Sequence, residues 1–264
     1  MSRIERNAVS VRGTGPMPLI FVHGLGCSQQ VWHYIAPRFE MTHKVILYDL
    51  TGCGRSDAHF ARRRNYKTLR GHADDLVDIC REFAPGGARV VAHSFGAMIA
   101  LRAAVQRSDL FHHLALLSAS PCHRNVGDYA GGLSDVEVEN LLTELERSVP
   151  QWSAHLAPIA VGPQGRPDVI LELEGYFTRN NPKAFSTMAR LALSSDLRGD
   201  IAKVHTPCTL LRTWHDPFVS DEAHRWLLDA LPRGESRDIL TSGHYPHLND
   251  PEHVTAALRA IFDA

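Results

Sequence analysis

The sequence predicts an α/β protein built on a mostly parallel sheet, and three observations point to it. Six short apolar runs recur along the chain, helical patterns lie between them, and in one region only does that alternation stop. The runs are 18–22 (PLIFV), 44–48 (KVILY), 88–92 (ARVVA), 113–118 (HLALLS), 207–212 (PCTLLR) and 236–240 (SRDIL). None alternates strictly between polar and apolar, which suits strands covered on both faces of a parallel sheet. Between them, Leu69, Ala73, Leu76, Cys80 and Phe83 follow a 4-3-4-3 spacing that keeps one helical face apolar, and Trp32, Ile35 and Phe39 predict another helix. Strand and helix in alternation define the α/β class.

Residues 1–17 leave room for about one strand, so the antiparallel N-terminal edge of the sheet is expected to be short. Between Cys122 and Ser195 four helical segments follow one another without a strand. Ser134-Asp135-Val136-Glu137 is a capping box, and it opens a helix with Val138, Leu141, Leu142 and Leu145 on its inner side. Asn181-Pro182 sets a cap residue before a proline at the first helical position. The expected organisation is therefore one core made of residues 1–122 and 196–264, with residues 123–195 inserted as a helical lid.

A length of 264 residues suits one large α/β domain of this kind. The 28 Lys and Arg against 29 Asp and Glu give a net charge of −1, so no basic field for nucleic acid or anionic lipid is expected. No run approaches the ~18 apolar residues of a membrane span. Arg3, Glu5, Arg6 and Arg12 stand where a signal peptide would need an apolar stretch. The expectation is a cytoplasmic protein acting on a small neutral molecule. Its five cysteines, Cys27, Cys53, Cys80, Cys122 and Cys208, are scattered with no C-x-x-C pair, which argues against a disulfide framework or structural zinc. Cys80 and Cys208 sit in apolar runs and read as small hydrophobes.

The stretch VVAHSFGAMIA, residues 90–100, places Ser94 between a strand and a small-residue helix. This is the strand–turn–helix setting of a nucleophile elbow, G-x-S-x-G, with Ala92 in the first glycine position. Such a turn needs small residues two positions either side of the serine, because strand and helix nearly touch there. A competing role for Ser94 is to cap the helix that follows. A hydroxyl becomes a useful nucleophile only beside a base that a third group orients. Asp216 follows the run ending at Arg212, and His244 follows the run ending at Leu240. The order Ser94, Asp216, His244 is that of the serine hydrolases built on such a sheet. Asp221 is a weaker candidate acid, since Ser220-Asp221-Glu222 reads as the first turn of a helix. His247 and His253 compete with His244. Asp250-Pro251 assigns His253 to the last helix, while Gly243 gives the turn before His244 its freedom, and His247 stays as the rival.

Phe21-Val22-His23-Gly24-Leu25-Gly26 ends a strand in a glycine-containing loop of the H-G-x-G type, whose backbone N–H groups serve as an oxyanion hole. The N–H groups of Leu25 and Phe95 are the expected donors. His23 is read as holding that loop rather than doing chemistry. The glycines of Asp49-Leu50-Thr51-Gly52-Cys53-Gly54-Arg55-Ser56 lack the G-K-[ST] of a phosphate loop and are read as a strand-to-helix turn.

With these residues placed, nearly the whole chain resembles the α/β-hydrolase fold serine hydrolases of the RsbQ-type subfamily, which includes the plant strigolactone and karrikin receptor hydrolases. The resemblance is carried by HGLGCSQQVW, VILYDLTGCGRSD, AHSFGAMIA, SASPC, WSAHLAPIAVG, SSDLRGDI and GHYPHLNDPE. It implies a Ser–His–Asp hydrolase with a helical lid over an apolar pocket, and it favours His244 over His247. Leu25 stands where members often carry phenylalanine, Phe95 where a smaller residue is usual, and Leu156 and Leu193 near places that are aromatic in the receptors. The implied pocket is more aliphatic on the lid side and bulkier beside the serine than the receptors' own.

The expected activity is cleavage of small apolar carboxylic esters or lactones through an acyl-enzyme, with no metal or organic cofactor. Trp152, Leu156, Phe177, Phe185, Met188 and Leu193 are the expected pocket walls. Epoxide hydrolases and haloalkane dehalogenases place aspartate where Ser94 stands and are set aside, whereas carbon–carbon bond hydrolases and perhydrolases share the serine and stay open. A second reading is a signalling receptor that senses such a ligand and binds a partner protein through the lid.

Overall fold

The computed structural model describes residues 3–262. A sheet of seven strands organises the chain: β1 (Ser10–Arg12), β2 (Met17–Val22), β3 (His43–Leu47), β4 (Ala88–His93), β5 (Phe111–Leu117), β6 (Cys208–Trp214) and β7 (Gly234–Ser242). Their spatial order is β1-β3-β2-β4-β5-β6-β7, with β1 antiparallel to β3 and every other pair parallel. All six apolar runs are strands, and β1 is the short antiparallel edge. The helices are α1 (Arg3–Asn7), α2 (Leu69–Phe83), α3 (Phe95–Gln106), α4 (Asp135–Arg147), α5 (Val149–Val161), α6 (Pro167–Thr178), α7 (Pro182–Ser194), α8 (Asp221–Ala230), α9 (Pro246–Asn249) and α10 (Pro251–Phe262).

Successive strand residues point to opposite sides of the sheet, and here both sides are buried. Ile20, Val22, Val90, Ala92, Leu114 and Leu116 pack on one face with α2 and α3. Leu19, Phe21, Val91, Ala115 and Leu117 pack on the other with Trp32, Phe39 and α10. The helix expected over Trp32–Phe39 is instead two single 3₁₀ turns, Gln29–Trp32 and Ala36–Phe39. Pro37 explains the break: it has no N–H to donate back along a continuous α-helix.

Four helices, α4 to α7, fill the stretch between β5 and β6. Ser134 and Glu137 form the reciprocal capping box at the start of α4, and Asn181 caps α7 by accepting from the Ala184 N–H. The ends of the stretch lie side by side. Cys122 and Asp196 pair as an isolated antiparallel bridge, and the Leu197 N–H donates to the Pro121 carbonyl at 2.9 Å. All five cysteines are free and buried. Among the described residues no helix is long and apolar enough to cross a membrane.

The chain steps from β2 outward to β3 and then returns to lay β4 on the other side of β2. At such a reversal the loops leaving the two neighbouring strands diverge and open a crevice at their carboxyl ends. The loops that leave β2 and β4 are the one holding Leu25 and the one holding Ser94.

Candidate active site

Ser94 sits at φ 51°, ψ −116°, between β4 and α3, in the strained conformation of a nucleophile elbow. Its side chain makes no capping bond to α3, so the competing role of helix cap is not the one it plays. The turn is tight enough to dictate its neighbours. A Cβ at Gly96 would lie 2.6 Å from the His23 carbonyl oxygen and 2.7 Å from that of Val22, both backbone atoms that cannot step aside.

Asp216 follows β6 by two residues, after a turn in which His215 takes a left-handed φ of 52°. His244 follows β7 and Gly243, whose φ is +87°. The structure brings the three side chains together in line. Ser94 Oγ lies 2.7 Å from His244 Nε2, and His244 Nδ1 lies 2.9 Å from each carboxylate oxygen of Asp216. A carboxylate only accepts, so Nδ1 carries the proton and Nε2 presents its lone pair to the serine hydroxyl. Burial alone would raise the Asp216 carboxyl, but His244 and the Phe218 N–H, donating to Oδ1 at 2.9 Å, outweigh it and hold the group below the usual carboxylate range.

The His244 backbone is held from several directions. Its N–H donates to the Ala160 carbonyl at 2.7 Å, and its carbonyl accepts from His93 Nε2 at 2.7 Å. Thr213 Oγ1 donates to the Gly243 carbonyl at 2.7 Å, and Asn249 Nδ2 donates to that of Val161 at 2.7 Å. The rivals lie elsewhere. His247 is fully buried and stacked on Trp32 with ring centroids 4.5 Å apart, and His253 is an exposed partner of Asp250 on α10. Asp221 lies in the first turn of α8 behind the Ser220 cap and pairs with Arg212 at 3.2 Å.

His23 holds its loop, as expected: Nε2 accepts from the Leu50 N–H at 2.9 Å, which leaves Nδ1 to donate to the Gly24 carbonyl at 2.8 Å. Burial lowers its pKa and keeps the ring neutral. The neighbouring turn is closed by Asp49, whose carboxylate accepts from the N–H groups of Gln29 (2.7 Å) and Arg55 (2.9 Å). Those donors face a carboxylate already in place, which suits a structural turn rather than a phosphate loop.

Ser94 and His244 open on a small cavity of about 60 Å³, room for a few waters. Leu25 and Phe95 border it beside Ser94, and Phe95 heads α3, so its N–H has no intrahelical acceptor. Of the six residues suggested as pocket walls, Trp152, Leu156, Phe177 and Leu193 line it. Phe185 and Met188 do not. Phe185 lies behind the wall, its centroid 5.3 Å from Trp152 and 5.9 Å from Phe177, in a cluster where each ring pair contributes about 0.5–1.5 kcal/mol beyond burial. Met188 faces the turn after β3, with Sδ 3.5 Å from Cys53 Sγ. The cavity takes only the last turn of α7, through Ala192 and Leu193. Met188 lies about 6 Å earlier on the helix axis than Ala192.

Sequence reasoning did not place His123, Ala160, Ala192, Phe218 and Tyr245 at this cavity, nor Leu141, which it had given only to the inner side of α4. Phe218 and Tyr245 stand within two residues of Asp216 and His244, a proximity that could have marked them. His123 carries no local pattern that would have done so. Cys27 also lies close, with Sγ 3.9 Å from the Tyr245 hydroxyl, but burial pushes its thiol up to about 12, so it is no thiolate. Among the described residues no cluster of side chains is arranged to hold a metal ion.

Comparison with known proteins finds relatives among hydrolases. The chain is 32% identical to a strigolactone esterase of Pisum sativum over 95% of its own length and 94% of the relative's. It is 29% identical to a karrikin insensitive 2 receptor of Petunia hybrida, covering 96% and 94% of the two chains. The structure of a hydrolase from Oleispira antarctica superposes with a TM-score of 0.95 at 27% identity, over 99% of this chain and 96% of that one. Residues 19–258 match the sequence profile of the alpha/beta hydrolase family. The chain, related to the plant receptor hydrolases, belongs to the alpha/beta hydrolase family.

Proposed function

We propose that this hydrolase cleaves small, largely apolar carboxylic esters or lactones through an acyl-enzyme formed on Ser94. The observation that carries the reading is the 2.7 Å contact from Ser94 Oγ to His244 Nε2, with Nδ1 committed to Asp216, at the wall of a mostly apolar cavity. In the first half-reaction Ser94 Oγ attacks the ester carbonyl carbon while His244 Nε2 takes the hydroxyl proton. Asp216 stabilises the imidazolium without taking a proton itself. The N–H groups of Leu25 and Phe95 hold the developing oxyanion, and the N-terminus of α3 adds favourable dipole. His244 then gives its proton to the leaving alkoxide. In the second half-reaction a water loses its proton to His244 and attacks the acyl carbon, the bond to Ser94 Oγ breaks as His244 returns that proton to it, and the acid and the free serine are released.

The test pairs turnover with labelling. Wild type is expected to hydrolyse short p-nitrophenyl esters over many turnovers and to acquire one fluorophosphonate adduct, located on Ser94 by mass spectrometry. S94A should lose both. A wild type with neither turnover nor label would sink the reading. Because one relative is named as a receptor, a signalling role that binds a protein partner is the second reading. Slow, single-turnover hydrolysis together with ligand-dependent capture of a partner would favour it.

A further inference from the structure

The cavity wall holds a histidine that the proposed mechanism leaves idle. His123 is 4% exposed and lines the cavity with Ser94 and His244. Its Nδ1 lies 3.1 Å from the Phe218 carbonyl oxygen. A carbonyl cannot donate, so Nδ1 carries the hydrogen and Nε2 is a bare acceptor. Burial lowers the pKa of the ring and keeps it neutral. Nε2 has no hydrogen-bond partner among the described residues.

The rest of the lining sharpens the point. Leu25, Phe95, Leu141, Trp152, Leu156 and Phe177 are among the apolar or aromatic walls. Ser94 and His244 are engaged with each other, and the Tyr245 hydroxyl is turned to Cys27. Nε2 is therefore an accessible acceptor on an otherwise buried side chain, and a ligand that fills the cavity must bring a donor to it or leave it stranded.

We propose that His123 Nε2 is a specificity determinant that accepts a hydrogen bond from a hydroxyl or N–H group carried by the substrate near its scissile carbonyl. The inference rests on the hydrolase reading above. It narrows the substrate class from apolar esters to esters or lactones bearing one donor close to the reacting centre. Discrimination arises because an analogue with a methyl group in the donor's place strands Nε2 against carbon.

The experiment uses matched p-nitrophenyl esters that exchange one hydroxyl for one methyl: 3-hydroxybutanoate against 3-methylbutanoate, and 2-hydroxypropanoate against 2-methylpropanoate. The quantity read is the hydroxy-to-methyl ratio of kcat/KM, compared between wild type and variants so that intrinsic ester reactivity cancels. In at least one pair the ratio is expected to fall about ten-fold in H123F and in H123M, which remove the acceptor with different shapes. H123Q, whose amide oxygen also accepts, should keep most of the preference. An unchanged ratio in both apolar variants overturns the proposal. A wild type that turns over none of the four esters and takes no fluorophosphonate label overturns the hydrolase reading and this inference with it. Turnover and labelling with no change of ratio overturns this inference alone.

Discussion

Substituting Gly243 with alanine tests how firmly the imidazole depends on the helices above it. Gly243 lies at φ +87°, and a Cβ there would stand 2.2 Å from the Val161 carbonyl oxygen and 3.1 Å from that of Ala160. Cβ contacts below 3.0 Å are essentially never seen, so the end of α5 and the His244 turn must part by at least the 0.8 Å that separates 2.2 from 3.0. The left-handed conformation adds about 1–2 kcal/mol for a residue with a side chain, and the overpacked contact about 1–3 kcal/mol more. The bond that suffers is the 2.7 Å one from the His244 N–H to the Ala160 carbonyl. A displacement near 1 Å at a catalytic group costs on the order of 10²-fold in rate. We therefore expect G243A to lower kcat for a p-nitrophenyl ester about a hundred-fold and to lower Tm by roughly 5–10 °C. Gly199 is the control: nothing lies within 4 Å of a Cβ built there, and G199A should match wild type in both readings. A G243A protein with kcat within three-fold and Tm within a degree of wild type would refute the proposed dependence.

D216N should leave the circular dichroism spectrum unchanged while kcat falls about 10⁴-fold, because an amide no longer fixes the Nδ1–H tautomer of His244; a loss below ten-fold would contradict that. His247 is fully buried with neither ring nitrogen bonded, so H247F removes two unsatisfied polar atoms and should leave Tm equal or higher, with esterase activity retained. His72 and His247 are both lowered to about 3, chiefly by burial. The unfolded chain protonates such rings near 6.5, so unfolding takes up protons and stability falls as pH drops below 6.5, with each ring costing about 2 kcal/mol between pH 7 and 5. Urea unfolding over that window should therefore show a shallower decline in H247F than in wild type, and equal slopes would count against the neutral buried ring.

The strands were legible because each is a short run covered on both faces, and a run of that kind needs no tertiary information to be recognised. Ser94, Asp216 and His244 were legible for a related reason: each follows the end of such a run, and a parallel sheet brings those ends to one edge. The Trp32–Phe39 segment misled because its spacing is helical while Pro37 forbids a continuous helix. The cavity was harder to read. Its walls come from α4, α5, α6 and α7 as they meet over the sheet edge, and helical periodicity says which face of α7 is buried without saying what it is buried against. Phe185 and Met188 share that face with Ala192, yet they pack on Phe177 and Cys53 while Ala192 meets the cavity.

The helices that line the cavity beside Ser94 are moored to the peptide units around His244 and Leu25. α5 grips the turn of His244 through Ala160 and Val161, and Asn180, just past α6, donates to the Gly26 carbonyl at 2.7 Å, next to Leu25. On the proposed mechanism, an acyl group larger than this cavity of about 60 Å³ has to displace the helices that line it. On that mechanism, a shift of these helices also shifts the His244 turn and the loop of Leu25, so room gained for a substrate is subtracted from the alignment of the groups proposed to act on it. On that reading, size is filtered through the rate of the chemical step as well as through affinity, in a graded way that a pocket with a free-standing cover would not provide.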